Sequence, residues 1–247
     1  MNQQSPSRLR AEILIVLALS FGMSGLRAVL KLIDSLVDPV PLNEQSETLN
    51  ASRSTTAWLD IALQMASAGT IFAYGALALF LLVTGSHHRM IIRPDLRDFA
   101  WGAGLATLIG IPGLAFYLTA LNVGWTKEIV PTSFDNAWVE LPSLLLFSAA
   151  NAFGEEVVVV MYLFTRFGQL GWRLPAILAA TSLLRGSYHL YQGVSAGFGN
   201  IAMGLIFGYF YHRTGRVWPL IIAHFLIDAV AFVGYAVLDN LGILPFT

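Results

Sequence analysis

The residues most able to do chemistry are two adjacent acids, Glu155 and Glu156, inside an apolar stretch that runs from about residue 141 to residue 164. A carboxylate buried among apolar groups is costly unless a partner or a function compensates for it. Neighbouring residues project about 100° apart around a helix, so the two acids cannot do the same job. We predict that one faces a reactive cavity and the other a structural partner.

Two later apolar segments also carry polar groups of the kind used in catalysis. The first contains His189, and the second contains His224 and Asp228, which are four residues apart and share one helix face. At about 1.5 Å per residue from the nearest basic loop, these groups and Glu155 fall within the middle of a hydrocarbon core about 30 Å thick. We therefore predict one buried, hydrated pocket. Asp228 either fixes the tautomer of His224 or acts with it on one substrate or metal.

Two supporting side chains are placed near the acids by helical spacing. Asn151 precedes Glu155 by four residues, so its side chain is predicted to hydrogen-bond with that carboxylate. Arg185 precedes His189 by four residues and is predicted to supply a counter-charge to either acid.

The composition indicates an integral membrane protein. Apolar residues make up 56% of the 247 residues and charged residues only 12%, whereas an average soluble domain has about 25% charged residues. The net charge of -1 gives no electrostatic basis for nucleic acid as a partner. The absence of cysteine excludes disulfides, thiolate nucleophiles and cysteine-based metal sites. Any metal would need histidine, carboxylate or water ligands.

The predicted fold is all-α: a polytopic transmembrane bundle of about seven to eight helices. A crossing needs about 20 apolar residues. Such segments fall at roughly residues 11–33, 57–84, 98–122, 139–164, 174–192, 194–211 and 217–238, and an eighth crossing stays open. The spacing of Gly204 and Gly208 predicts a close approach between two helices.

The charges of the loops predict the orientation of the bundle. Lys and Arg are enriched in cytoplasmic loops, and here alternate loops are basic, which places the N-terminus in the cytoplasm. The basic loops carry Arg8 and Arg10, Arg89, Arg93 and Arg97, Arg166 and Arg173, and Arg213 and Arg216. We expect a multi-pass protein in a bacterial-type plasma membrane, in contact with membrane lipid.

The order of the polar motifs resembles the CPBP family of intramembrane proteases, which includes CAAX prenyl endopeptidases and bacteriocin-processing, Abi-like enzymes. The matching segments are GEEVVVV from residue 154, LRGSYHLYQG from residue 184 and HFLID from residue 224. The resemblance covers about residues 139–238. It implies that Glu155, in the motif it shares with Glu156, is the general base that activates water.

The same resemblance implies roles for the other polar residues. His189 would assist the base, and His224 and Asp228 would orient the substrate or stabilise the oxyanion. The chain is then one integral membrane domain with three parts. Residues 1–138 form the N-terminal helices and loops, residues 139–238 the family-like catalytic core, and residues 239–247 a C-terminal tail.

Two positions depart from the pattern of the family. Members commonly carry EExxxR, but Val160 occupies the position of the arginine, and they commonly carry FxxxH, but Arg185 occupies the position of the phenylalanine. We hypothesise that Arg185 restores, from the next helix, the positive charge that is lost at Val160.

The predicted function is an intramembrane endopeptidase that hydrolyses a peptide bond in a membrane-associated protein, with prenylated or lipidated proteins among the candidate substrates. The hydrolase is either glutamate-dependent or metal-dependent: the two histidines and the acids suit a divalent metal such as zinc, but no HExxH motif is present and the mechanism does not require a metal. A proton-coupled transporter using the acids as carriers is an alternative, although no inverted repeat is evident. A catalytically silent membrane scaffold or chaperone is another.

Overall fold

The chain folds into a bundle of helices. The computed structural model describes residues 5–85, 93–130 and 137–234. The helices are α1 (Pro6–Leu19), α2 (Phe21–Val37), α3 (Ala57–Gly85), α4 (Leu96–Asn122), α5 (Ala137–Glu155), α6 (Leu163–Gln169), α7 (Leu174–His189), α8 (Val194–Thr214) and α9 (Trp218–Ala229). The prediction of an all-α bundle is confirmed. Arg89, residues 235–238 of the predicted core and the predicted tail at 239–247 lie outside the described residues.

Each of the seven predicted apolar segments contains a helix, but two of these helices are short. In the described ranges, four helical spans are long and apolar enough to cross a membrane, and the pair α1 and α2, bent by 50°, raises the number to five. Helix α7 has 16 residues and helix α9 has 12, fewer than the roughly 20 that a full crossing needs. Helix α7 ends at His189, the last of its site residues, and a π-helical segment, Val230–Gly234, follows α9.

The fourth apolar segment changes its helical geometry at the acidic pair. Between α5 and α6, residues Glu156–Tyr162 form a π-helical segment, in which the backbone N–H of Leu163 bonds to the carbonyl of Val158, five residues back. Such wider turns are rare and occur frequently at functional sites. The segment is buried throughout. The backbone therefore widens at the point where the two carboxylates enter the core.

Small residues let helix α7 pack tightly against α8. A Cβ added at Gly204 would lie 2.9 Å from Cα of Ser182, and one at Gly186 would lie 2.7 Å from the carbonyl oxygen of Gly197. A Cβ at Gly208 would meet the ring of Phe164 at 2.7 Å. The close approach predicted for Gly204 and Gly208 is confirmed.

Three loops meet at one end of the bundle, which we call the strand end. Two short strands, β1 (Ser46–Thr48) and β2 (Glu128–Val130), pair in parallel there. The connection from α7 to α8 joins them, because the N–H of Lys127 donates to the carbonyl of Gln192 at 3.0 Å. Gly193, at φ +123°, packs on Thr126 so closely that a Cβ would lie 2.6 Å from Cα of that residue.

The opposite end, which we call the basic end, is held by ion pairs. Arg216 binds both carboxylate oxygens of Asp98 at 2.7 and 2.8 Å and also contacts Asp95 at 2.7 Å. Desolvation raises the pKa of Asp95, but hydrogen bonds from Arg216 and from backbone N–H groups outweigh it and hold that pKa below its usual value. These contacts tie the start of α4 to the loop before α9. Which end faces the cytoplasm stays a prediction.

One ion pair and the hydrogen bonds around it tie α1 to α6. Arg166 donates to Glu12 at 2.7 Å, to the side chain of Gln169 at 2.9 Å and to the carbonyl of Leu81 at 2.8 Å. The hydroxyl of Tyr162 also donates to Glu12, at 3.0 Å. We call Glu12, Tyr162 and Arg166 the anchor cluster. Every nitrogen of the Arg166 guanidinium donates to an acceptor, either in another part of the chain or in the next helical turn.

Candidate functional site

Three helices bring the predicted site residues together in the core. The end of α5 and the start of the π-helical segment supply the two acids, the last turns of α7 supply Arg185 and His189, and α9 supplies His224 and Asp228. The acids, Arg185 and His224 are all less than 10% exposed. The prediction that three separate segments form one buried polar site agrees with this geometry.

Glu156 is the centre of the buried hydrogen bonds. Its Oε1 atom accepts from Nη2 of Arg185 at 2.6 Å and pairs with Nδ1 of His224 at 2.7 Å. The side chains of Glu156 and Arg185 are both fully buried. One carboxylate oxygen thus joins all three site helices, and the charge of Glu156 is balanced by the guanidinium. This is the structural role that the sequence assigned to one of the two acids.

Glu155 has a different set of partners. The hydroxyl of Tyr188 donates to Oε2 of Glu155 at 2.6 Å, and Nη1 of Arg185 lies 3.7 Å from the same oxygen. Both described partners approach one oxygen, so Oε1 is the oxygen left to receive another group. Arg185 reaches both acids, as the sequence analysis predicts.

The neighbours of His224 differ from the expectation in one respect. Of the two roles predicted for Asp228, fixing the imidazole is not what the structure shows, because its Oδ1 lies 3.6 Å from Nε2 of His224, beyond hydrogen-bond distance. The other role, acting with His224 on one substrate, stays a prediction. The ring instead donates a short hydrogen bond from Nδ1 to Oε1 of Glu156 at 2.7 Å. The helical spacing of four residues brings Asp228 near the ring, whereas the packing of α9 against the end of α5 brings the other acid closer.

Asn151 also has a partner other than the predicted one. Its amide Nδ2 donates to Oδ2 of Asp228 at 3.3 Å, from one helix to another, rather than to Glu155 in its own helix. Glu155 is directed toward α7, where Tyr188 holds it. The prediction of an Asn151–Glu155 hydrogen bond is therefore wrong, because contacts between helices compete with the local spacing. Asn151 instead orients the acid on α9.

His189 lies at the edge of the site with one nitrogen occupied. Its Nδ1 pairs with the carbonyl oxygen of Arg185 at 3.0 Å, so this nitrogen carries the proton and donates it. In the neutral ring Nε2 then has a free lone pair. The ring lies beside that of Tyr188, with 4.8 Å between ring centroids, and is close enough to Glu155 to interact electrostatically.

Tyr188 is the residue that sequence reasoning missed. It lies within the segment LRGSYHLYQG, but the sequence analysis assigns it no role. Its spacing held a signal, because Tyr188 follows Arg185 by three residues and so lies on the same helix face. A tyrosine on that face of an apolar helix has to place its hydroxyl on a polar partner, and the two acids are the nearest.

The arrangement does not fit a bound metal. Within the part of the chain that the structure describes, no group of three or more His, Asp or Glu side chains is arranged to hold a metal ion. The Nδ1 atoms of His189 and His224 are bonded to a carbonyl and to Glu156, which leaves only Nε2 of each ring as a possible ligand. Zinc sites need at least three protein ligands converging on one point. We therefore derive no step that uses a metal.

The fold and the site define an integral, multi-pass membrane protein with a buried cluster of acids, histidines and one arginine. Residues 136–230 match the family described as Type II CAAX prenyl endopeptidase Rce1-like. This match covers every predicted site residue and supports the assignment of the chain to the CPBP family of CAAX proteases, which confirms the resemblance. No curated protein and no solved structure matches the chain. The family supports an intramembrane CAAX-type endopeptidase in general, with a membrane-associated protein as substrate.

Proposed function

We propose that this protein is an intramembrane endopeptidase in which Glu155 activates the water that cleaves the peptide bond. The observation that carries the proposal is the asymmetry of the two acids. Glu156 is fully buried and is paired at 2.6 Å with the guanidinium of Arg185 and at 2.7 Å with His224. Glu155 is slightly exposed, its short hydrogen bond comes from the neutral hydroxyl of Tyr188, and the guanidinium lies 3.7 Å away. A close cation stabilises a carboxylate and makes it a weaker base, so Glu155 is the acid better suited to accept a proton.

The histidines have separate tasks in this proposal. His189, with Nδ1 bonded to a carbonyl, offers Nε2 as an acceptor that holds the water beside Glu155. His224, with Nδ1 bonded to Glu156, has its Nε2 on the side of Asp228, 3.6 Å from Oδ1 of that residue. As an imidazolium it donates from Nε2 to the oxyanion. A donor in a site shielded from bulk water stabilises that charge strongly.

The reaction proceeds in two steps whose atoms and protons balance. Glu155 takes a proton from water as the water oxygen bonds to the carbonyl carbon, and the carbonyl oxygen becomes an oxyanion near His224. The tetrahedral intermediate then collapses, and the C–N bond breaks as Glu155 returns its proton to the leaving amine. The products are a new carboxyl group and a new amine, and Glu155 is again a carboxylate.

Arg185 supports the acids in place of the arginine that the EExxxR pattern would put at Val160. Its guanidinium lies 2.6 Å from Glu156 and 3.7 Å from Glu155. Two adjacent buried carboxylates repel each other strongly in low-dielectric surroundings, and a cation close to both of them offsets that repulsion. Arg185→Ala is therefore expected to lower both folding stability and activity. Wild-type stability together with wild-type cleavage in that variant would contradict this part of the proposal.

The proposed substrates are membrane-associated proteins, with prenylated or otherwise lipidated proteins as the first class to test and a bacterial-type plasma membrane as the setting. His189 ends α7 and Asp228 lies within α9, so the proposed reaction would take place inside the bundle. A substrate would then have to enter from the membrane or from the loops. The alternative without chemistry is a scaffold that binds the same proteins and does not cut them.

The test is cleavage of a library of lipidated and non-lipidated membrane peptides by the purified, reconstituted protein. We expect the wild type to cut a subset of the peptides and Glu155→Gln to cut them about 100- to 10,000-fold more slowly. Binding without cleavage by the wild type would instead support the scaffold. Cleavage by Glu155→Gln at the wild-type rate would remove Glu155 from the chemistry.

A further inference from the structure

We propose that Tyr188 is a positioning residue for Glu155: its hydroxyl holds Oε2 of the acid and so directs Oε1 at the water. This inference rests on the proposed function, and it gives a role to a residue to which the resemblance assigns none. The hydrogen bond is 2.6 Å long and buried, and Tyr188 is 7% exposed. A hydroxyl that donates to a carboxylate makes one of the stronger kinds of hydrogen bond.

The ring of Tyr188 is itself held in place. Its centroid lies 5.1 Å from that of Phe21, at the start of α2, and 4.8 Å from that of His189. Phe21 in turn packs edge-on against Tyr74 of α3 at 6.2 Å. Aromatic side chains packed on two sides have little rotational freedom. The packed ring therefore holds the Tyr188 hydroxyl in one position, and the hydroxyl in turn holds the carboxylate of Glu155.

Glu155 depends on this hydrogen bond, because the described contacts that hold its carboxylate come from α7 and not from its own helix. It stands at the last residue of α5, where the backbone passes into the π-helical segment. Arg185 lies 3.7 Å from Oε2 and so attracts the acid without a short hydrogen bond. Without the hydroxyl, the carboxylate would be free to rotate toward the guanidinium. A base must be within hydrogen-bond reach of the proton it abstracts, so this rotation would slow catalysis.

The anchor cluster supplies a matched control. The hydroxyl of Tyr162 donates to Glu12 at 3.0 Å, and that acid is also paired with an arginine. Tyr162→Phe thus removes the same kind of hydrogen bond, from tyrosine to an arginine-paired glutamate, at the end of the bundle away from the site. Comparing the two phenylalanine variants separates the loss of a buried hydroxyl from the loss of its effect on Glu155.

The experiment measures kcat, KM and thermal unfolding for wild type, Tyr188→Phe, Tyr162→Phe and Glu155→Gln with a peptide that the wild type cleaves. We expect Tyr188→Phe to lower kcat about 10- to 100-fold with KM within twofold, the size of effect seen when a group that orients a reactive residue is removed. Tyr162→Phe should keep kcat within twofold. A merely structural role would lower the unfolding temperature of Tyr188→Phe and leave kcat of the folded protein unchanged.

The outcomes distinguish this inference from the proposed function. If Glu155→Gln is inactive and Tyr188→Phe keeps the wild-type kcat, the inference is overturned and the proposed function stands. If Glu155→Gln cleaves normally, both are overturned. Should Tyr188→Phe fail to fold, Phe21→Leu loosens the ring and keeps the hydroxyl. It is expected to lower kcat about threefold to tenfold, since the hydroxyl remains but is less fixed, and an unchanged kcat in that variant would count against the inference.

Discussion

Two buried clusters of this protein contain the same residue types and differ in how fully these residues are bonded. In the anchor cluster, the guanidinium of Arg166 donates through Nε, Nη1 and Nη2 to three separate acceptors. At the site, Arg185 makes one hydrogen bond, through Nη2. Among the described residues, its Nε and Nη1 and the Oε2 atom of Glu156 have no hydrogen-bond partner.

The difference indicates what each cluster is for. A fully bonded ion pair has only one low-energy arrangement and is suited to holding helices together. A buried polar group without a partner is costly, and natural proteins retain such groups chiefly where they serve a function. The anchor cluster therefore contributes to stability, whereas the site gives up part of its stability to keep polar atoms available.

The largest expected effect concerns the stability of the anchor cluster. Arg166→Met leaves Glu12 without its cation and removes three hydrogen bonds, which should cost about 3–5 kcal/mol of unfolding free energy. Unfolding in detergent, followed by helical circular dichroism, measures it, with the exposed Arg173→Met as control. The protein that remains folded should keep its kcat. A loss of kcat in the folded fraction would show that the two clusters are not separate in function.

The next effect concerns activity. His224→Asn keeps a donor toward Glu156 but lacks the second ring nitrogen, so it should lose oxyanion stabilisation and about 100- to 1,000-fold in kcat. His212→Asn, at an exposed position near the end of α8, is the matched control and should match the wild type. Equal rates for the two variants would mean that the oxyanion is stabilised elsewhere.

A smaller effect tests how far the site depends on the packing of α7. Gly204→Ala should displace α7 from α8 and cost about 1–3 kcal/mol of stability, because its Cβ would lie 2.9 Å from the backbone of Ser182. Gly104→Ala is the control, since nothing lies within 4 Å of the added Cβ. We expect a lower kcat for the first variant only, as α7 carries three of the site residues. Matching stabilities for the two would contradict the close approach.

The smallest effect is the pH dependence of the basic end. The pKa of Asp95 is lowered in the folded protein, so the stability that it contributes is present above about pH 4, its range in the unfolded chain, and is lost as the pH falls through the lowered value. Unfolding temperatures measured from pH 2 to pH 7 should therefore fall less steeply at the acid end for Asp95→Asn than for the wild type. Parallel curves would show that its contact with Arg216 adds nothing.

Most of the fold was accessible from the sequence because lipid leaves few choices. Long apolar segments have to be helical in a membrane, which identified the helices α3, α4 and α8. Polar residues such as Glu155 and His224 stood out against apolar neighbours. Polar side chains inside a membrane need polar partners, so these residues could be expected to lie together in one site. The shortness of α9 was not evident, because apolar residues continue past the point where its α-helical geometry changes.

The pairing of atoms within the site was not accessible from the sequence. Spacing along one helix predicted that Asn151 would bond to Glu155 and offered, as one of two roles, that Asp228 would fix His224. Contacts between helices decided both cases differently. The π-helical geometry after Glu155 also rotates the following residues relative to a regular helix, and the run of valines gave no specific sign of it. Tyr188 was overlooked for the same reason: its role depends on which helix faces it.

One measurement tests the central claim most directly: cleavage rate and unfolding temperature for Glu155→Gln and Glu12→Gln, side by side with the wild type. Both variants replace an arginine-paired glutamate that accepts a hydrogen bond from a tyrosine. The account predicts that Glu155→Gln loses cleavage and unfolds near the wild-type temperature, whereas Glu12→Gln keeps cleavage and unfolds earlier. Equal cleavage by the two variants, or a greater loss of cleavage in Glu12→Gln, would contradict it.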